Sequence, residues 1–178
     1  MYKYLFWLVI LFSLSILTFF YMGFYNFSAN TPHWPITTKL ITISRDNAIS
    51  RVANDIKTPN LNNPAFISSG AQDYNDMCAG CHMSPLQLTP SDLHQNLYPS
   101  PPNLTKPSHF RPNEQFWIIK HGLKMTGMPA WGTGHSDERI WAMVAFIQQL
   151  PKLNAEQYQI LASRHVINTS EHQESAHE

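Results

Sequence analysis

The chain has 178 residues and a mass of 20.4 kDa, which leaves room for one small domain with appendages. Its 12 basic and 12 acidic residues give a formal net charge of zero, so the composition offers no sign of nucleic-acid binding. There are two cysteines, and both fall within one five-residue stretch, which excludes a disulfide framework spread over the fold.

The N-terminus carries a long apolar run from Tyr4 to about Tyr25, preceded by Lys3. A helix of about 20 such residues crosses the hydrocarbon core of a bilayer. We therefore predict that residues 1–29 form a membrane anchor in contact with lipid. The alternative is a removed signal peptide, but Phe27-Ser28-Ala29 offers a poor cleavage site because a bulky side chain stands where a small one is needed. Lys3 favours an inside N-terminus and an exported body.

Residues 30–63 are predicted to form a tether. Two prolines in Thr31-Pro32-His33-Trp34-Pro35 indicate an extended entry. Apolar residues then recur at loose helical spacing: Leu40, Ile41, Ala48, Ile49, Val52 and Ile56. Two alternatives stay open for this segment, an amphipathic helix on the membrane surface and a helix packed on the domain that follows.

Residues 64–151 are predicted to form a compact all-α domain. Caps and periodicity predict helices over Phe66–Met77, Asn113–His121 and Asp137–Leu150, the last with a buried stripe of Ile140, Met143, Val144, Ile147 and Leu150. Long proline-rich loops separate these helices, notably residues 97–104. Loops of this length are unusual in a small domain unless they wrap a large apolar prosthetic group.

Residues 152–178 are predicted to form a short C-terminal helix and a polar tail. Asn154 and Gln157 have the spacing of a capping box at the start of that helix. From Asn168 onward the chain is polar and acidic, and we interpret His172 and His177 there as solvated residues of a disordered tail and not as a metal site.

The motif Cys78-Ala79-Gly80-Cys81-His82 predicts covalent attachment of one haem c. Two thiols separated by two residues can each add to one vinyl group of a porphyrin, and the next residue then becomes the proximal iron ligand. A zinc site would need a second pair of ligands, and a redox-active dithiol would need a strand before it; neither is found. Cys78 and Cys81 are therefore the predicted attachment sites, and His82 the predicted iron ligand.

The second iron ligand is sought downstream, among His94, His109, His121, Met125, Met128 and His135. Met128 is favoured because Gly127 permits close approach and Pro129 stiffens the loop. Met125 is the runner-up, followed by His121. Ligation by a thioether predicts a higher reduction potential than ligation by two histidines.

From Phe66 to Leu150 the chain resembles a class I mono-haem cytochrome c, and residues 119–132 resemble the axial-methionine region of membrane-anchored bacterial members. The resemblance implies that Met128 is the distal ligand and that Trp131 contacts the haem. It also implies that a proline of the 99–102 loop, for which we favour Pro102, accepts the N–H of the proximal imidazole, and that the first and last domain helices cross through Gly70, Tyr74, Met143 and Phe146.

The predicted function is one-electron transfer in a periplasmic respiratory chain, by a carrier that is not itself an enzyme. It would be a single-pass protein of the bacterial cytoplasmic membrane, with the haem domain in the periplasm and redox proteins as donor and acceptor. Lys106, Lys120 and Lys124 are candidates for orienting an acidic partner. The alternatives are a haem subunit of an oxidase or dehydrogenase complex and, with an open sixth position, a peroxidase-like or gas-binding haem protein.

Overall fold

The computed structural model describes residues 2–163, and within that range the chain is helical and contains no strand. The predicted all-α fold is therefore confirmed. Two compact units follow one another along the chain, with the boundary between His33 and Trp34.

The first unit contains helix α1, Tyr2–Tyr21, and the aromatic segment that follows it. An 18-residue window of the helix has a mean hydropathy of 2.1, none of its side chains is buried, and it is long and apolar enough to cross a membrane. After the helix, the ring of Tyr25 lies 4.9 Å from that of Phe27, and its hydroxyl is hydrogen-bonded to Nδ1 of His33 at 2.7 Å. This helix is the structural counterpart of the predicted anchor.

The second unit is built on the crossing of α3, Pro64–Met77, with α7, Asp137–Gln149. A Cβ placed on Gly70 would lie 2.0 Å from the carbonyl oxygen of Ala142, so only glycine allows the two backbones to come this close. The Tyr74 ring packs 5.4 Å from that of Phe146, and Met143 is fully buried. The crossing implied by the family resemblance is present.

Helix α6, Pro112–His121, completes the core by packing on α7. The rings of Phe116 and Trp141 stack with centroids 4.2 Å apart. The predicted stripe of α7 is buried throughout, at Ile140, Met143, Val144, Ile147 and Leu150. Side chains on its other faces are buried too, because α3 and α6 cover it on different sides.

Helix α2, Pro35–Ala53, belongs to this second unit and packs on α6. Ile49 and Ala53 are buried, and Nδ2 of Asn113 donates to the carbonyl of Ala53 at 2.8 Å, which satisfies a carbonyl at the helix end. The C-terminal half of α2 is therefore packed on the domain that follows, which is one of the two arrangements left open for the tether. The N-terminal half exposes Ile36 and Leu40.

Shorter elements position the loops. Two small helices, α4 at Ala79–His82 and α5 at Asp92–Asn96, follow α3, and 3-10 turns occur at Trp131–Thr133 and Leu150–Lys152. Residues 155–163 are helical, with the predicted capping box formed by Asn154 and Gln157. The predicted tail with His172 and His177 lies outside the described residues.

Candidate functional site

The two cysteines and His82 are set by a single helical turn. Helix α3 ends at Met77, and Cys78 accepts hydrogen bonds on its carbonyl from the backbone N–H groups of Cys81, at 3.1 Å, and His82, at 2.8 Å. The side chains of Cys78, Cys81 and His82, spaced by three positions and by one, thereby line one cavity. This is the local geometry that the motif predicts.

The carbonyls at the end of α4 all have donors from elsewhere in the domain. A helix of one turn leaves its C-terminal carbonyls without partners inside the helix. Ser91 Oγ donates to the carbonyl of Gly80, and His94 Nδ1 donates to that of Cys81 at 2.7 Å. The N–H of Leu104 donates to the His82 carbonyl at 3.1 Å. The attachment turn is thus held by α5 on one side and by the proline-rich loop on the other.

Helix α5 was missed by the sequence analysis, although a signal for it exists. Ser91 is an N-cap residue, and Asp92 after it places an acidic side chain in the first turn. In the structure the Ser91 side chain accepts a hydrogen bond from the N–H of His94 at 3.1 Å. Five residues are too few for hydrophobic periodicity to be visible. The role of His94 toward the carbonyl of Cys81 depends on a contact across 13 positions and leaves no trace in spacing.

The cavity has a volume of ≈ 410 Å³, within the range of small-molecule and cofactor sites, and its walls are mainly apolar. Among its lining residues are all of the principal predicted site residues: Cys78, Cys81, His82, Pro102, Met128 and Trp131. The runner-up ligand, Met125, is not among them: it is 80 % exposed. Of the predicted histidine candidates other than His82, only His109 lines the cavity.

His82 is oriented by one hydrogen bond. Its Nδ1 lies 2.8 Å from the carbonyl oxygen of Pro102, so Nδ1 carries the proton and Nε2 is the nitrogen left for a metal. Burial lowers the pKa of His82, although the hydrogen bond to Pro102 acts in the opposite direction. The lowered pKa favours the neutral ring, which is the form that binds a metal. The structure places the Pro102 carbonyl where the resemblance implies it.

Met128 is carried on a loop closed against the end of α6. Gly122 ends that helix with φ +66°, and a Cβ there would lie 2.8 Å from the Met128 carbonyl oxygen. Thr126 Oγ1 donates to the carbonyl of Leu123 at 2.8 Å and accepts from the N–H of Met128 at 3.1 Å. These contacts fix the backbone from which the Met128 side chain enters the cavity wall.

The residues present fit a covalently bound haem better than the competing groups. Across residues 2–163 no cluster of three or more His, Cys, Asp or Glu side chains stands ready for a metal ion. Burial raises the pKa of the Cys78 thiol to about 12. A structural zinc site needs four ligands, and the described residues place no further His or Cys beside Cys78, Cys81 and His82 as such a group. A redox dithiol of the thioredoxin kind would follow a strand, and that part of the chain has none.

Two electrostatic features of the site were not foreseen. Arg45 of α2 lines the cavity although it lies in the predicted tether. Lys120, one of the three candidate docking lysines, is ion-paired with Asp137 at 2.6 Å and lies over the ring of Phe116. Lys106 and Lys124 are exposed. A role in docking would therefore rest on these two more than on Lys120.

The helical fold and the residues that line the cavity agree with a class I mono-haem cytochrome c domain, which the family comparison supports. Residues 65–147, just under half of the chain, match the family described as Cytochrome C oxidase, cbb3-type, subunit III. No curated protein and no solved structure matches the chain. The matched range runs from α3 to α7 and contains the attachment motif, Pro102, Met128 and Trp131. The match supports haem-based electron transfer, by an electron carrier or by a redox subunit.

Proposed function

We propose that the chain transfers single electrons through one haem c attached to Cys78 and Cys81, with iron held by His82 Nε2 and the sulfur of Met128. The observation that carries this proposal is that all four side chains line one cavity while the Pro102 carbonyl occupies Nδ1 of His82. When bound, the haem supplies a one-electron iron couple whose potential depends on the axial ligands, on hydrogen bonding around them and on burial.

The protein's own residues set the conditions for that couple. The hydrogen bond from His82 to Pro102 fixes the ring plane and the tautomer, as outer partners of metal-bound histidines do. A thioether from Met128 favours the reduced state more than a second imidazole would. Apolar walls, including Ile119 and Trp131, limit the access of water. With His82 and Met128 both bound to it, the iron would have no position for a substrate, and this supports a carrier over an enzyme.

The proposed location is the outer face of a bacterial cytoplasmic membrane, within a respiratory chain. Helix α1 supports a single-pass anchor, and Lys3 supports an N-terminus inside and a haem domain in the periplasm. Attachment of haem c outside the cytoplasm is consistent with that orientation. The partners are a protein electron donor and a protein acceptor.

Potentiometry with carbon monoxide as a probe tests this function. The full chain, purified in detergent, is titrated electrochemically, and the reduced protein is then exposed to carbon monoxide. We expect a single one-electron wave and an unchanged spectrum under the gas, because both iron positions are filled. Stoichiometric binding of carbon monoxide would instead show an open sixth position, as in the peroxidase-like or gas-binding alternative.

A fixed haem subunit of an oxidase complex is the second candidate, and the description of the matched family favours it. One experiment separates the two. Membranes from the native source are solubilised in mild detergent, separated on a native gel and stained for haem. A free carrier migrates near its own mass with detergent, whereas a subunit migrates in a large assembly. Electron transfer through the haem is common to both outcomes.

A further inference from the structure

Arg45 brings a positive charge to the cavity from outside the matched domain. It lies on α2, whereas the family match begins at residue 65. Among the cavity-lining residues in the described part of the chain, it is the one lysine or arginine. Its side chain is 31 % exposed, so the charge is partly withdrawn from water. Asp46 is its anionic partner in the protein.

The position of Arg45 is fixed from two directions. Its guanidinium lies 5.9 Å from the centre of the Phe110 ring. Its Nε and one Nη donate to Oδ1 of Asp46, at 2.8 and 2.7 Å. A guanidinium has five N–H groups, so these bonds leave donors for a further acceptor. The Asp46 carboxylate orients the side chain without using up its hydrogen bonds.

The helix that carries Arg45 is itself fastened to the domain. Asn113 donates to the carbonyl of Ala53 at 2.8 Å, and Arg111 donates to Ser50 Oγ at 3.3 Å. Ile49, one turn after Arg45, is 1 % exposed. The guanidinium is therefore placed by a packed helix and not by a free tether.

We propose that Arg45 binds a carboxylate of the bound porphyrin, that is, one of the two haem propionates. This inference rests on the proposed function. In the porphyrin the two vinyl groups and the two propionates occupy opposite edges, and Cys78 and Cys81 would hold the vinyl edge. Arg45 reaches the cavity from α2, beside the ring of Phe110, and not from the elements that hold the cysteines. The planar fork of arginine matches a carboxylate in two parallel hydrogen bonds.

The carboxylate of Asp46 allows a second test, because its effect on the reduction potential should be opposite to that of Arg45. Asp46 would repel a propionate, and it also lies 3.9 Å from Nε2 of His109. Positive charge near the iron stabilises the ferrous state, and negative charge the ferric state. Loss of Arg45 should therefore lower the reduction potential, and loss of the Asp46 charge should raise it. A segment that precedes the cytochrome domain would then help to set the potential of its haem.

The test compares Arg45→Gln with Arg51→Gln in the full-length holoprotein. Arg51 lies on the same helix, is exposed and does not line the cavity, so the control makes the same charge change away from the haem. Two readouts are taken: the reduction potential, and the propionate bending band in the resonance Raman spectrum. For Arg45→Gln we expect the equilibrium constant for reduction to fall about tenfold, which corresponds to ~59 mV, together with a shifted band. Arg51→Gln should change neither.

Equal results for the two variants would overturn the proposal. If Arg45→Gln yields too little holoprotein, Arg45→Lys and Asp46→Asn are used instead. A shifted propionate band in Arg45→Lys and a raised reduction potential in Asp46→Asn support the proposal, and no change in either variant refutes it. A wild-type protein without covalent haem would refute the proposed function itself. A wild-type protein with covalent haem, whose potential and propionate band do not change on Arg45→Gln, would refute this inference alone.

Discussion

At the scale of single residues, hydrogen bonds to backbone carbonyl groups hold the attachment turn in place. His94 is the clearest case, because a carbonyl only accepts and Nδ1 of His94 must therefore carry the proton that reaches Cys81. Tyr74, which is fully buried, adds a hydroxyl that donates to the carbonyl of Met83 at 2.6 Å. Neither bond touches the iron, yet both act on the backbone that places His82.

Replacement of His94 tests that support. His94→Leu leaves the Cys81 carbonyl without its donor and should cost about 1–3 kcal/mol of unfolding free energy. His94→Asn is the matched control, since its amide N–H takes the place of the Nδ1–H, and it should recover most of the loss. Denaturant unfolding of the holoprotein followed through the haem band measures both. If the two variants lose stability equally, the hydrogen bond is not what matters at this position.

Met128 and Met125 provide a matched pair for the distal ligand. Met128 lines the cavity, whereas Met125 is exposed and has a left-handed backbone with φ 58°. Met128→Ala should abolish the sulfur-to-iron charge-transfer band in the far red and lower the reduction potential, because a weaker ligand or water replaces the thioether. Met125→Ala should leave both unchanged. Loss of the band in Met125→Ala and its survival in Met128→Ala would reverse the assignment.

At the scale of elements, the crossing of α3 and α7 is the structural centre of the domain. Gly70→Ala should separate the helices, because the new Cβ would lie 2.0 Å from a backbone carbonyl of α7 that cannot move aside. We expect a net loss of about 2 kcal/mol, since overpacking costs about 1–3 kcal/mol or more and alanine regains up to ~1 kcal/mol of helix propensity. Gly134→Ala is the control, as no atom lies within 4 Å of its Cβ position. Thermal unfolding of both holoproteins checks this, and equal midpoints would contradict it.

The elements also show what the sequence can and cannot predict. Helices α3, α6 and α7 have caps and a strong period, so their bounds were predicted to within a residue or two. Helix α2 was uncertain because its apolar residues do not form one stripe: Leu40 is exposed and only Ile49 and Ala53 are buried. Which residues meet across the cavity is a matter of long-range contact. Local motifs singled out His82 and Met128, which both line the cavity, but no local pattern links Arg45 to Phe110.

At the scale of the whole molecule, the division into two units predicts that the cytochrome domain folds without α1. The second unit begins at Trp34 and includes α2 with its contacts to α6. A chain that starts at Trp34 and is exported by a cleavable leader should be obtained without detergent, with the same absorption spectrum and reduction potential as the full chain. Gel filtration and potentiometry in parallel measure this. A truncated protein that aggregates or fails to retain haem would show that the cytochrome domain needs α1 to fold.

The central claim is that the two sulfurs bind one porphyrin covalently, and intact-mass spectrometry of the denatured protein tests it most directly. The wild-type chain should gain the mass of one haem and keep its colour when extracted with acidified acetone. Cys78→Ala should hold the haem through a single remaining bond, and the variant that lacks both Cys78 and Cys81 should release it into the solvent. A wild-type chain at its bare mass, colourless or losing its pigment to the extract, would contradict the account.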